Sequence, residues 1–185
     1  MDLDDSACTT ALEYSLIQID RVVFQERPAC VTTLPQSPPA DSGTNPYLRY
    51  RKYPSGIEEY RIFQTGITNY LRWLAKKDRW VLPTNSEAKD IPIDTVIQML
   101  GAHEVRHRLQ ETLDMIYTPA SALPCLQRLG FQQIPTYCKH WLGDAAAQEF
   151  DADVITWMVL GQVLRYERLL TVSELEAIIV SVPLQ

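Results

Sequence analysis

Several features that would place this chain in a specialised class are rare or missing. The chain has 185 residues, with 3 histidines, 7 glycines and 4 cysteines. The CxxC spacing that is typical of cysteine-rich zinc sites and redox motifs does not occur among the four cysteines, which are Cys8, Cys30, Cys125 and Cys138. We therefore expect free thiols, and any metal site has to be sought among other residue types.

A long hydrophobic run is also missing. The longest apolar stretch extends from Val154 to Leu164, which is far shorter than the roughly 20 residues that cross a bilayer. The chain starts with the acidic sequence Met1-Asp-Leu-Asp-Asp, and no apolar segment of a secretory signal follows it. We expect a cytoplasmic protein without a membrane span.

Positive charge is not concentrated anywhere in the sequence. The formal net charge is -6, and no basic stripe interleaved with aromatic residues is present, so we expect no nucleic-acid partner. A hydrophobic fraction of 46% and a charged fraction of 22% are ordinary for globular proteins. The length suits one domain with a sizeable core, and we predict a single domain over residues 1–185.

The N-terminal half has a mixed pattern. Alternating apolar residues predict a strand over Leu16–Phe24, and a second short strand is expected near Cys30–Leu34. Five prolines in Pro35–Pro54 predict a long loop. Apolar residues at helical intervals predict a helix from Ser55 to Lys77, with an interruption at Gly66 left open.

The C-terminal half has a helical pattern. We predict four helical segments: one from Asp94 to Tyr117, one over Ser121–Leu129, one that starts near Pro135 and leads, with or without a break at Gly143, through Glu149 to Leu169, and one from Thr171 to Val180. The predicted fold class is therefore α+β, predominantly helical, with a small N-terminal strand region.

The segment Gly101–Gln110 contains an HExxH pattern, formed by His103, Glu104 and His107. Residues four apart on a helix lie on the same face, so both imidazoles can point at one metal ion. Glu104 lies one step around the helix, which suits a carboxylate that acts on water bound to the metal. The pattern predicts two zinc ligands and a general base.

A catalytic zinc site of this kind has three protein ligands and one open position. Glu149 and Asp153 are four residues apart on a second predicted helix. Glu149 can supply the third ligand, and Asp153 can hold a ligand histidine by its other ring nitrogen. The alternative for Asp153, and equally for Asp151, is a carboxylate that interacts with the dipole at the start of the helix.

At this point the sequence resembles the gluzincin zinc metallopeptidases, in which HExxH is joined by Glu-x-x-x-Asp or Glu-x-x-Ala-Asp from a second helix. Glu149-Phe-Asp-Ala152-Asp153 matches the latter form. The spacing of about forty residues is more similar to the CAAX-prenyl endopeptidases and the small ImmA/IrrE-like peptidases than to thermolysin. The resemblance covers roughly Asp94 to Leu164 and implies a zincin-like fold and a Zn²⁺ cofactor.

Arg106 and Arg108 depart from the family pattern, which usually has uncharged residues at these positions. Positive charge beside a metal is unfavourable, so we expect both side chains to point away from it or to bind acidic groups.

The resemblance implies hydrolysis of peptide bonds in a peptide or protein substrate, with Glu104 as the general base. An oxyanion donor is also expected, and Tyr117, Tyr137, His140 and Arg106 are candidates by residue type. Two alternatives stay open. One is a helical binding or regulatory module with a structural or degenerate zinc site, which could act with a protein partner. The other is a helical bundle in which the motif arose by chance.

Overall fold

The computed structural model describes residues 3–40, 46–84, 86, 89–134 and 143–184, without the side chains of residues 143 and 144. This part of the chain contains six α-helices and three strands, which confirms the predicted α+β class with a helical majority. In chain order the elements are α1 (Asp5–Val23), β1 (Cys30–Leu34), β2 (Leu48–Lys52), β3 (Glu58–Phe63), α2 (Ile67–Leu74), a 3-10 turn (Lys77–Arg79), α3 (Ile93–Gln110), α4 (Pro119–Arg128), α5 (Gly143–Tyr166) and α6 (Val172–Ile179).

The three strands form one mixed sheet in the order β1-β3-β2. β1 runs parallel to β3, and β2 runs antiparallel to it, with Tyr50 opposite Tyr60. Leu48, Tyr60 and Ile62 are fully buried and face the helices, because alternate residues of a strand point to the same side. The sheet therefore covers one side of a helical core.

α3 lies at the centre of this core. It packs against α1, α2, α5, α6 and β2, and its most extensive contact is with α5. Most of its residues are buried, including charged ones such as Glu104, Arg106 and Arg108. A helix that is buried on nearly every side needs internal partners for its charges, and the surrounding elements supply them. Within the described ranges, no helix has the length and apolar character required to cross a bilayer.

The predicted strand over Leu16–Phe24 is wrong, because these residues belong mainly to α1. Leu12, Leu16 and Ile19 are buried at helical spacing, and Asp4 caps the helix by accepting a hydrogen bond from the Ala7 N–H. The alternation seen in the sequence is incidental, since the buried stripe begins earlier, at Cys8. The second predicted strand, Cys30–Leu34, is confirmed.

The predicted helix over Ser55–Lys77 is wrong in its first half, and the predicted loop over Pro35–Pro54 contains β2. β2 and β3 form a hairpin whose turn has Gly56 at φ 84°, a conformation that glycine adopts easily. Ser55 therefore does not begin a helix. The helical part is α2, which begins after Gly66, where Asp5 accepts hydrogen bonds from the N–H groups of Gly66 and Thr68.

The C-terminal helices are mostly as predicted. α4 and α6 are confirmed, and Thr171 and Glu174 form the expected capping box. α3 begins after Pro92 and ends at Gln110, so Asp94 lies inside its first turn and the prediction that it extends to Tyr117 is wrong. α5 ends at Tyr166, before the predicted Leu169. The helical start predicted at Pro135 lies outside the described residues.

Candidate metal centre

His103, His107 and Glu149 come together where α3 meets α5. The Nε2 atoms of the two imidazoles are 3.0 Å apart. His103 Nε2 lies 3.3 Å from Glu149 Oε2, and His107 Nε2 lies 3.3 Å from Glu149 Oε1. In a tetrahedral zinc site with bonds of about 2.0–2.1 Å, neighbouring ligand atoms are roughly 3.4 Å apart. The three side chains therefore have nearly the mutual spacing that zinc requires, and among the described residues they are the group suited to a metal ion.

Asp153 determines the orientation of the His103 ring. Its Oδ1 atom lies 3.2 Å from His103 Nδ1. Thr156 Oγ1 is 3.4 Å from the same nitrogen and donates its proton to the carbonyl of Ala152. The proton of a neutral His103 is therefore on Nδ1, which leaves the Nε2 lone pair directed at Glu149.

Gln110 has the same role for His107, although the HExxH pattern did not indicate it. Gln110 Oε1 lies 3.0 Å from His107 Nδ1, while Gln110 Nε2 donates to the carbonyl of Gln148 and to Asp151 Oδ2, at 2.7 Å each. The amide orientation is thus fixed with its oxygen toward His107, so His107 Nδ1 is the donor. The His107 Nε2 lone pair then also points at Glu149.

Two imidazole Nε2 atoms and the Glu149 carboxylate therefore converge on one point. Burial alone would raise the pKa of the Glu149 carboxyl, but the hydrogen bonds and charge of His103 and His107 outweigh it and hold this pKa well below its usual range. Burial would lower the pKa of His103, but Asp153 and Glu149 together raise it well above its ordinary value. These surroundings favour a positive charge, which a metal ion can supply.

The centre is partly open. The His103 side chain is 4% exposed, whereas His107 and Glu149 retain exposures of 15% and 22%. A small molecule from solvent can therefore approach on the side of His107 and Glu149.

Glu104 lies beside these three residues and is itself buried. Its Oε2 atom accepts a hydrogen bond of 2.7 Å from the backbone N–H of Tyr50 in β2. Burial raises the pKa of the Glu104 carboxyl, and the partial compensation from His103 and His107 does not reverse this. The HExxH pattern did not indicate the contact with β2, because Glu104 and Tyr50 are 54 positions apart in the chain.

Arg106 points away from the metal ligands, as expected. Its Nε and Nη2 atoms donate to the two carboxylate oxygens of Asp151 at 2.7 Å each. Its Nη1 atom donates to the carbonyls of Ile179 and Ser181, at 2.6 and 2.8 Å. The arginine thus ties α5 and the segment after α6 to α3.

Asp151 therefore binds Arg106 and does not interact with the dipole at the start of the helix, so the alternative considered for this residue is wrong. Its side chain is fully buried, and it also accepts a hydrogen bond from the N–H of Tyr117. Both Asp151 and Asp153 lie more than one turn inside α5, beyond the range over which the helix dipole acts.

Arg108 binds acidic groups on the opposite side of α3. Its guanidinium pairs with Asp20 of α1 and Glu58 of β3, at 2.7 Å each, and lies 3.9 Å from the centroid of the Phe24 ring. Tyr60 donates a hydrogen bond to the same Asp20 carboxylate. This network joins α1, α3 and the sheet, and the arginine is held away from the metal ligands.

The candidate oxyanion donors divide into two groups. Arg106 is fully engaged with Asp151 and backbone carbonyls, and the Tyr117 hydroxyl donates to Ser181 at 3.1 Å, so neither is directed at the centre. Tyr137 and His140 lie outside the described residues.

Comparisons with models of known protein families, with curated protein sequences and with solved structures found no match.

Proposed function

We propose that the protein is a zinc-dependent metallopeptidase whose metal is held by His103, His107 and Glu149. The observation that carries this proposal is the convergence of two imidazole Nε2 atoms and the Glu149 carboxylate at spacings of 3.0–3.3 Å. Two histidines and one glutamate are a known ligand set of catalytic zinc, which leaves a fourth position for water or substrate.

Other metals are less well matched to this set. Calcium and magnesium prefer oxygen ligands, whereas two of the three atoms here are imidazole nitrogens. Asp153 and Gln110 hold the outer nitrogens of the two rings, and such partners are typical of histidines that bind zinc. Zinc bound here would polarise a peptide carbonyl and lower the pKa of water in the open position.

The chain's own residues supply the proton transfers. Glu104 accepts the proton of the attacking water and later delivers it to the leaving amine of the peptide. The Tyr50 N–H occupies one of its oxygens at 2.7 Å and fixes the orientation of the carboxylate. Burial of Glu104 excludes bulk water from the group that carries the proton.

We also propose that the arrangement is zincin-like, with α3 as the HExxH helix and α5 as the glutamate helix. Support comes from the placement of both metal-binding segments on packed helices and from the strand β2 beside Glu104.

The experiment is hydrolysis of a mixture of peptides by protein purified without a histidine tag and loaded with one equivalent of zinc. Cleavage is followed by mass spectrometry, which also identifies the cleaved bonds. We expect turnover by the native sequence and loss of turnover in Glu104→Gln, which keeps the zinc ligands but cannot accept the proton. Activity of Glu104→Gln near that of the native sequence would remove Glu104 from the role of base.

The second candidate is a non-catalytic regulatory module with a structural zinc site. The observation that favours it is the hydrogen bond between Glu104 and Tyr50, because a base committed to a backbone N–H has less freedom to act on water. Tight zinc binding with no cleavage of any peptide in the mixture would support this candidate and contradict the peptidase.

A further inference from the structure

Glu104 belongs to a ring of contacts that extends beyond the candidate metal centre. Its carboxylate accepts the backbone N–H of Tyr50 at 2.7 Å. The Tyr50 hydroxyl donates to Glu58 Oε1 at 2.7 Å, and Arg108 Nη2 donates to Glu58 Oε2, also at 2.7 Å. Arg108 follows Glu104 by four residues on α3, so the ring closes on the helix that carries the two metal-binding histidines.

This ring attaches the β2–β3 hairpin to α3 at two points. Glu104 and Arg108 lie on the same face of the helix, roughly 6 Å apart along its axis. A single contact would leave the hairpin free to pivot on α3, whereas two contacts one helical turn apart fix its position. Tyr50 takes part at both points, through its backbone N–H at the first and through its hydroxyl at the second.

The Tyr50 N–H depends on this attachment because it lies on the outer edge of the sheet. β2 is an edge strand, and alternate residues of an antiparallel strand direct their N–H groups to the partner strand. Tyr53 donates its N–H to Ile57, so the N–H of Arg51 also faces β3 and that of Tyr50 faces outward. The direction of this N–H toward Glu104 is therefore set by how the hairpin docks on α3.

We propose that Glu58 and the Tyr50 hydroxyl are positioning groups for Glu104. They hold the Tyr50 N–H against the carboxylate and so keep the general base in the orientation that accepts the proton of water. This inference rests on the proposed peptidase function. Misplacing a reacting group by about 1 Å can lower a rate a hundred-fold, so these groups act on the rate of the chemical step and not on substrate binding.

Two substitutions break the ring without touching Glu104 or the metal ligands. Tyr50→Phe removes only the hydroxyl and keeps the backbone N–H. Glu58→Leu removes the carboxylate, while Arg108 keeps its ion pair with Asp20 at 2.7 Å and so is not left as an unpaired buried charge. Tyr50→Phe decides the result if Glu58→Leu does not fold.

The same hairpin contains a matched control. The Tyr53 hydroxyl donates to Glu59 at 2.6 Å, and Glu59 also accepts from Arg61 at 2.9 Å, which repeats the combination of tyrosine, glutamate and arginine. Glu59 and Arg61 alternate with Glu58 along β3, so they lie on the face of the sheet that points away from α3. Tyr53→Phe thus removes an equivalent hydrogen bond that is not connected to Glu104.

The first measurement is the kinetics of peptide cleavage by the zinc-loaded protein, well below the melting temperature of each variant. We expect kcat to fall roughly ten- to a hundred-fold in Tyr50→Phe and in Glu58→Leu, with KM and zinc content unchanged. The double variant should be no slower than the slower single variant, because both changes break the same link. Tyr53→Phe should keep the native kcat.

A kcat near that of the native sequence in either ring variant would overturn the inference while the peptidase function stands. An equal loss in Tyr53→Phe, or losses that add in the double variant, would do the same, because the effect would then not pass through this ring.

The second measurement is amide hydrogen exchange, followed by NMR of the protein as purified, which does not depend on activity. We expect the N–H of residue 50 to exchange roughly ten-fold faster in Tyr50→Phe and in Glu58→Leu, as for the loss of a hydrogen bond to a charged group. The N–H of Arg51, which faces β3, is the internal reference and should keep its rate. An unchanged rate at residue 50 would contradict the proposed positioning.

Together the two measurements separate this inference from the proposed function. Faster exchange at residue 50 in the ring variants, with no cleavage by the native sequence, would retain the positioning of the Glu104 carboxylate and reject the peptidase. An unchanged exchange rate and no cleavage would reject both.

Discussion

The Nδ1 atom of His107 lies 3.0 Å from the side-chain oxygen of Gln110, one turn further along α3. This contact orients the imidazole toward Glu149. We predict that Gln110→Leu weakens zinc binding by roughly ten- to a hundred-fold, the usual contribution of a residue that holds a ligand histidine. The measurement is a competition titration with a chromophoric chelator.

Gln98→Leu is the matched control for Gln110→Leu. Gln98 lies on the same helix, but it exchanges its two hydrogen bonds, at 2.8 and 3.1 Å, with the backbone of Leu170, between α5 and α6, and does not contact a metal ligand through them. We expect this variant to lose stability while its zinc affinity stays near that of the native sequence. Equal zinc affinities for the two variants would mean that Gln110 does not position His107.

Asp153 is expected to have the same effect through His103. Asp153→Asn keeps the shape of the side chain but removes the carboxylate that faces His103 Nδ1 at 3.2 Å. We predict a roughly ten- to a hundred-fold loss of zinc affinity. Asp78→Asn, which changes an exposed carboxylate in the 3-10 turn, should leave the affinity unchanged. A loss of thermal stability in Asp153→Asn without any change in zinc affinity would reduce Asp153 to a structural residue.

The Arg106–Asp151 pair is expected to contribute to folding rather than to chemistry. Both side chains are fully buried, so Asp151→Asn leaves a charged guanidinium without its counter-ion. We predict that the free energy of unfolding of the zinc-free protein falls by about 3–5 kcal/mol. Chemical denaturation measures it, and a loss below about 1 kcal/mol would contradict the role of this pair.

A double variant tests the reason for that loss. Arg106→Met combined with Asp151→Leu removes both charges and should destabilise the protein less than Asp151→Asn alone, because no unpaired charge stays buried. A double variant that is less stable than the single one would show that the hydrogen bonds to the carbonyls of Ile179 and Ser181 matter more than the ion pair.

Local sequence signals predicted the C-terminal helices better than the N-terminal half. Thr171 and Glu174 have capping-box spacing and do cap α6, whereas Ser55 and Glu58 have the same spacing and belong to a β-hairpin. The difference is that Gly56 turns the chain back, so that β2 and β3 pair through long-range contacts that a short sequence window does not contain.

The candidate site was predictable to the extent that it depends on helix periodicity. The spacing of four residues places His103 and His107 on one face of α3, and the same spacing predicted that Glu149 and Asp153 would share a face of α5. The contact of Tyr50 with Glu104 depends on how the sheet docks on α3, and no local pattern encodes it. The sequence predicted that Arg106 would point away from the metal or bind an acidic group. That this group is Asp151 follows only from the packing of α3 on α5.

The zinc content of the protein is the direct test of the proposed metal centre. Protein purified without a histidine tag is analysed for metals by mass spectrometry, alongside His103→Ala, His107→Ala and, as a control outside the proposed ligand set, His140→Ala. We expect one equivalent of zinc per chain in the native sequence and in His140→Ala, and little zinc in the other two variants. No bound metal in the native sequence, or full zinc retention in both His103→Ala and His107→Ala, would contradict it.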